Sequence, residues 1–218
     1  LLYKSMYDDL TFYQTSLTGS IPTQVGLMTG VWKNLRLYDN SEMANSTLPT
    51  ELGRLTNMEK RMYLYETGFS GTIPTELGQL TRLTKYLELN DNSLSGTIPT
   101  EVGYLTGLSN WFLLNNNQLT GNLPSELALI NYGIGAIPNF AVNNNHLCGD
   151  FSDEVATMNF THEYVYQDNS IGTFCPTPNP TAPTFMPTAI PSPIPSVVPT
   201  ITCHDKMTYR ADARSEER

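Results

Sequence analysis

Four near-identical segments recur along this chain: STLPTELGRLT from Ser46, GTIPTELGQLT from Gly71, GTIPTEVGYLT from Gly96 and GNLPSELALIN from Gly121. They place Pro49, Pro74, Pro99 and Pro124 at intervals of 25 residues, and a fifth copy from Gly19 carries Pro22, 27 residues before Pro49. A period of this length means a stack of coils. No single repeat in such a stack can bury its apolar face, so the core exists only between neighbours, and a long regular surface is left outside.

A second pattern lies between the proline segments. Its copies are LTFYQTSLTG from Leu10, LRLYDN from Leu35, MYLYETGFSG from Met62, LELNDNSLSG from Leu87, FLLNNNQLTG from Phe112 and FAVNNNHLCG from Phe140. The first and third residues are apolar and alternate with polar ones, the signature of a strand buried on one face. Six copies predict six short parallel strands, one per coil. Asn40, Asn92, Asn117 and Asn145 share one column, with Thr15 and Thr67 in the remaining two copies. A side-chain amide both donates and accepts, so a stacked Asn column can satisfy turn backbone that would otherwise be buried unpaired. The following glycines suit positive φ or close approach, and the Ile-Pro or Leu-Pro step favours extended backbone.

The combined pattern L-x-x-L-x-x-L-x-L-x-x-N-x-L-S-G-x-I-P-x-x-L-G-x-L resembles the plant-type leucine-rich repeat, as in receptor-like kinase ectodomains, receptor-like proteins and secreted inhibitors of cell-wall-degrading enzymes. The resemblance runs from about Leu10 to Gly149. It implies an α/β solenoid, the leucine-rich repeat horseshoe. Short parallel strands would line its concave face, with irregular or 3-10 segments on the convex face. Each repeat is one residue longer than the usual plant type, and the extra residue falls before the strand. Two irregularities, Ser41–Ser46 and Ala128–Ile137, read as small loops.

Outward strand residues then fall into three columns on the concave face. The first holds Thr11, Arg36, Tyr63, Glu88, Leu113 and Ala141; the second Tyr13, Tyr38, Tyr65, Asn90, Asn115 and Asn143; the third Gln14, Asp39, Glu66, Asp91, Asn116 and Asn144. Strands lie about 4.8 Å apart, so each column is a ladder. Tyr13, Tyr38 and Tyr65 are the residues best suited to contact a ligand, because tyrosine combines a large ring with a polar tip. The alternative is that they only pack across strands. Arg36, Tyr63, Asp39, Glu66, Glu88 and Asp91 complete the candidate face. Trp111 and Tyr86 stand just before their strands and extend it.

Charge and cysteines bound the rest. Net charge is −9; residues 1–175 carry 8 Lys and Arg against 17 Asp and Glu. An acidic array without a basic stripe argues against nucleic acid and against anionic membrane surfaces, since phosphate contacts need Lys and Arg. No apolar stretch is long enough to span a membrane. The array (1–149, about six coils, the first partial) should be followed by a cap over 150–175. A disulfide between Cys148 and Cys175 would fix that cap; the rival is a metal site from His146, Cys148, His162 and Cys175, whose spacing matches no zinc pattern. Residues 176–203 read as a disordered Pro/Thr/Ser-rich stalk, and 204–218 as a charged disordered tail. Asn45 and Asn159 head glycosylation triplets. The opening at Leu1, inside a partial repeat, reads as a fragment or mature form, with anchoring left to segments outside it.

Functionally, no nucleophile elbow, metalloprotease helix, phosphate loop or kinase signature occurs, so the chain reads as a non-catalytic module with neither cofactor nor metal. The resemblance implies recognition of a protein or peptide, extracellular or at the cell surface, and a part in signalling as a membrane-linked glycoprotein. Two alternatives stand. Thr47/Thr50, Thr72/Thr75 and Thr97/Thr100 form flanking Thr columns suited to ice, and the proline tract suits a structural, wall-associated protein.

Overall fold

The computed structural model describes residues 8–43, 46–130, 139–150, 167–171, 173 and 175. Asn45, Asn159, His162 and everything after Cys175, including the proline tract and Cys203, lie outside the described residues. The described strands are β1 (Asp9–Thr11), β2 (Asn34–Arg36), β3 (Arg61–Tyr63), β4 (Ser70–Thr72), β5 (Tyr86–Glu88), β6 (Ser93–Gly96), β7 (Trp111–Leu113), β8 (Gln118–Gly121), β9 (Asn139–Ala141), β10 (His146–Gly149) and β11 (Ser170–Ile171).

The alternating copies form one parallel sheet in the order β1-β2-β3-β5-β7-β9. Leu10, Leu35, Met62, Leu87, Phe112 and Phe140 are successive rungs. All but Leu10 are almost completely buried, and so are Leu64, Leu89, Leu114 and Val142 in the next inward row. One apolar cluster runs from Ile21 to Leu147. This is the leucine-rich repeat solenoid, and the extra residue before β2, β3, β5 and β7 leaves their register in step.

Opposite the sheet, 3-10 turns span Thr23–Leu27, Thr50–Arg54, Thr75–Gln79, Thr100–Tyr104 and Ser125–Leu127. Each follows a proline held in extended conformation, from Pro22 to Pro124. Proline fixes φ and sacrifices an N–H that the first turn would leave unpaired anyway. Successive turns pack tightly: a Cβ on Gly78 would lie 2.3 Å from the Glu101 carbonyl oxygen, so only glycine fits there.

Three features depart from the sequence reading. A second parallel sheet, β11-β10-β8-β6-β4, follows the Asn turns. Its segments are short and rich in Ser, Thr and Gly, so no apolar alternation announces them. Ser41–Met43 is a 3-10 turn, not a plain loop, and sends Met43 into the core. Tyr86 and Trp111 are the first residues of β5 and β7, inside the strands they had been set before.

The Asn column works as a polar spine. Asn92 Nδ2 donates to the carbonyls of Leu64 (2.8 Å), Leu89 (3.0 Å) and Asn90 (3.1 Å), while its Oδ1 accepts from the N–H groups of Thr67 (3.2 Å) and Phe69 (3.0 Å). Asn40, Asn117 and Asn145 repeat this pattern between their own coils. Asn169 adds a further rung, accepting from Leu147 N–H at 3.0 Å and donating to Val142 O at 2.9 Å. Asn169 was not singled out in the sequence because the repeat pattern has ended by then. A Cys148–Cys175 disulfide and the β10–β11 pairing tie this last rung to the array.

Candidate ligand-binding face

Polar residues between the buried rungs of the first sheet face outward, and register determines which of them meet. Arg36, Tyr63, Glu88, Leu113 and Ala141 are direct neighbours in one column, with Thr11 at its start. The first strand residues make a further column, Asp9, Asn34, Arg61, Tyr86, Trp111 and Asn139, which brings in Tyr86 and Trp111.

Six aromatic side chains join across these columns. Tyr13 stacks on Tyr38 (centroids 4.9 Å apart, planes 6° apart), and Tyr38 stacks on Tyr65 (4.7 Å, 12°). Tyr63 meets Tyr38 and Tyr65 edge-on, each at 6.1 Å. Tyr86 then meets Tyr63 at 5.6 Å and Trp111 at 6.0 Å, again edge-on. The result is an unbroken ridge running diagonally over five strands or strand ends. Such ring pairs add about 0.5–1.5 kcal/mol each beyond their burial, so the ridge is stiff before any ligand arrives. Burial, more than neighbouring charge, pushes the Tyr63 hydroxyl up to about 12 and raises those of Tyr65 and Tyr38. These hydroxyls therefore stay protonated as hydrogen-bond donors at any ordinary pH.

The ridge is flanked by acid. Gln14, Asp39, Glu66, Asp91, Asn116 and Asn144 all adopt left-handed backbone, with φ between 51° and 56°. Asn and Asp tolerate that conformation best. Side chains bond along this column: Gln14 Nε2 donates to Asp39 (3.0 Å), Asn116 Nδ2 to Asp91 (2.5 Å) and Asn144 Nδ2 to Asn116 (2.5 Å). Glu66 is raised above the usual carboxylate range, first by its hydrogen bond with Asp39, then by burial and by the charges of Asp39 and Asp91.

Glu88 behaves differently from the other acids. It is 6% exposed at the middle of the face. Burial pushes its carboxyl up to about 7, against the pull of Arg61. Arg61 lies with its guanidinium 5.2 Å over the Tyr86 ring. Beyond Glu88 the columns shorten to Leu113 and Ala141, and a hollow lined by Trp111, Leu113, Asn115, Asn139, Ala141 and Asn143 opens beside the ridge. The face thus offers aromatic area, acceptors and a cavity. Arg36 lies beside Tyr38, where its charge offsets part of the rise that burial causes.

On the opposite edge, Thr47, Thr72 and Thr97 are exposed. Their methyl groups come within 3.2, 3.0 and 3.0 Å of where a Cβ would stand on Gly71, Gly96 and Gly121 of the next coil. Thr50, Thr75 and Thr100 form the second Thr row, but each hydroxyl already donates to the following glutamate at 3.2–3.3 Å.

Comparison with known proteins agrees with this architecture. A family model described as Leucine Rich Repeat matches residues 84–105. No curated protein matches the chain significantly. Among solved structures, similarity extends to the leucine-rich repeat ectodomain of the Arabidopsis thaliana membrane receptor kinase GASSHO1/SCHENGEN3 in complex with CASPARIAN STRIP INTEGRITY FACTOR 2. Identity there is 30% over 66% of this chain and 16% of that one, with TM-score 0.57. The Arabidopsis receptor kinase HAESA, in complex with the peptide hormone IDA and the co-receptor SERK1, is 26% identical over 75% of this chain and 26% of that one, with TM-score 0.63. A plant ice-binding protein is 27% identical over 74% of this chain and 49% of that one, with TM-score 0.60. This chain therefore spans less than half the length of each.

Proposed function

The chain is a leucine-rich repeat protein resembling plant receptor ectodomains, and from that premise we propose that it is a non-catalytic recognition module that docks a peptide or protein partner on its concave face. The observation that carries this reading is the continuous aromatic ridge from Tyr13 to Trp111. Large, pre-stiffened rings lose little conformational entropy on binding, and rings of this kind dominate interface energetics. Two of the similar ectodomains are themselves complexes, one with a peptide hormone. We extend the same reading to location: the module works outside the cell or at its surface, where the Cys148–Cys175 disulfide is at home and where Asn45 and Asn159 could carry glycans. The proline-rich segment would then be a stalk, and the module one part of a receptor-like or wall-associated protein.

The test is selection from a random peptide display library on the full chain. Selected peptides should lose at least tenfold in affinity when Tyr13, Tyr38 and Tyr65 are all replaced by Ala. Selected peptides indifferent to that replacement, or none at all, would count against the docking face.

Ice binding is the second reading. It is favoured by the exposed Thr47–Thr72–Thr97 row and by the similarity to a plant ice-binding protein. Thermal hysteresis in the native chain, abolished by Thr72→Tyr, would establish it. The second Thr row is a weaker candidate, because its hydroxyls are already engaged with glutamates.

A further inference from the structure

Glu88 is a buried acid facing outward, and its carboxylate makes no hydrogen bond or ion pair among the described residues. At 6% exposure it is more deeply sequestered than any other described acid of the concave columns. Among the described residues the side-chain ion pairs are Lys33–Asp8 and Arg82–Glu59, so Glu88 has none. Arg61, whose charge it feels, is committed to the Tyr86 ring. Two residues on, just past the end of β5, Asn90 spends its amide N–H on Asp91 at 2.5 Å and leaves its buried Oδ1 without a hydrogen-bond partner. Two idle acceptors therefore sit side by side on one outward face. Burying such groups unpaired costs about 1–3 kcal/mol each, and more for a charge.

Their surroundings narrow what could satisfy them. In register, Tyr63 and Leu113 flank Glu88. Tyr65 and Asn115 flank Asn90 one step further on, as the Glu66 N–H to Asn90 O and Asp91 N–H to Asn115 O bonds require. Tyr86 closes the near end of the strand. Rings thus wall one side and one end, while the Leu113 side drops into the hollow and leaves an approach. Acceptors call for donors, a carboxylate calls for a positive charge, and ring faces attract cations. An ammonium has three donors on a point charge. A guanidinium has five in a plane, enough to serve both acceptors while lying against a ring.

We propose that Glu88 and Asn90 form the acceptor site for an arginine side chain of the docked partner, with the residue next to that arginine filling the hollow over Leu113 and Ala141. This rests on the concave face being the docking face. It also explains why an acid is held at a desolvated position where a leucine, as at the next rung, would pack without electrostatic cost.

The experiment uses peptides selected on the full chain at pH 8 whose binding requires Tyr38 and Tyr65. They should carry an arginine. Replacing it with citrulline, its neutral isostere, should weaken binding at least tenfold. Glu88→Gln should weaken the arginine peptide at least tenfold and the citrulline peptide little, so that the two changes are not additive. Retained citrulline-peptide binding shows that the variant is folded; if it is lost, Glu88→Leu, the residue at the next rung, replaces Gln in the same cycle. Tyrosine-dependent peptides that lack arginine, or that ignore both changes, would overturn the arginine site and leave the docking face standing. Absence of any tyrosine-dependent peptide would overturn both.

Discussion

Glu88 shows most clearly how a single residue reports on its neighbours. Its folded pKa of about 7 lies above the ordinary 4.5. Between those values the folded chain binds more protons than the unfolded one, so unfolding free energy falls as pH rises through that window. Glu88→Gln should therefore leave stability near pH 4 unchanged and raise it at pH 8 by on the order of 3 kcal/mol, read as the urea midpoint at each pH. Equal midpoints at pH 8 would mean that Glu88 is not desolvated. Glu66 carries a different strain, a longer acid than Asn or Asp in left-handed backbone at φ 51° beside Asp39 and Asp91. Glu66→Asn should stabilise the chain by about 1 kcal/mol, since Asn visits that conformation readily, and thermal melting checks it. The three stacked tyrosines were legible from two-residue alternation and the repeat period alone. The burial of Glu88 was not, because it depends on how far the rings of Tyr63, Tyr65 and Tyr86 reach across strands.

At the scale of elements, the coil is set by a few fixed positions. Asn92 is one. Removing its amide strands the Thr67 and Phe69 N–H groups and takes one of two side-chain donors from each of the Leu64 and Leu89 carbonyls. Asn92→Ala should cost about 3 kcal/mol or more, measured by chemical denaturation, whereas Asn115→Ala on the open face should cost little. Gly78 is another: a Cβ 2.3 Å from the Glu101 carbonyl forces two coils apart, so Gly78→Ala should destabilise by about 1–3 kcal/mol. The sequence announced the Asn column and the first sheet because both rest on a strict pattern of side-chain type. The second sheet stayed hidden because Ser70–Thr72 and its partners pair by backbone alone. Tyr86 and Trp111 were legible as extensions of the face, but their place inside β5 and β7 emerged only from the pairing.

For the molecule as a whole, neighbouring coils share one core, so damage at one end should spread only as far as its neighbours. Replacing Cys148 and Cys175 by Ser should lower stability by up to about 3 kcal/mol, while the ridge, built from earlier coils, keeps its partner affinity; denaturation and binding on the same variant check both. The most direct test of the account is hydroxyl-radical footprinting of the full chain with and without a selected peptide. Tyr38, Tyr63, Tyr65, Tyr86 and Trp111 should become protected, while Tyr104, 51% exposed on the 3-10 side, should react unchanged. Protection of Tyr104 with the five ridge residues unaffected would contradict it.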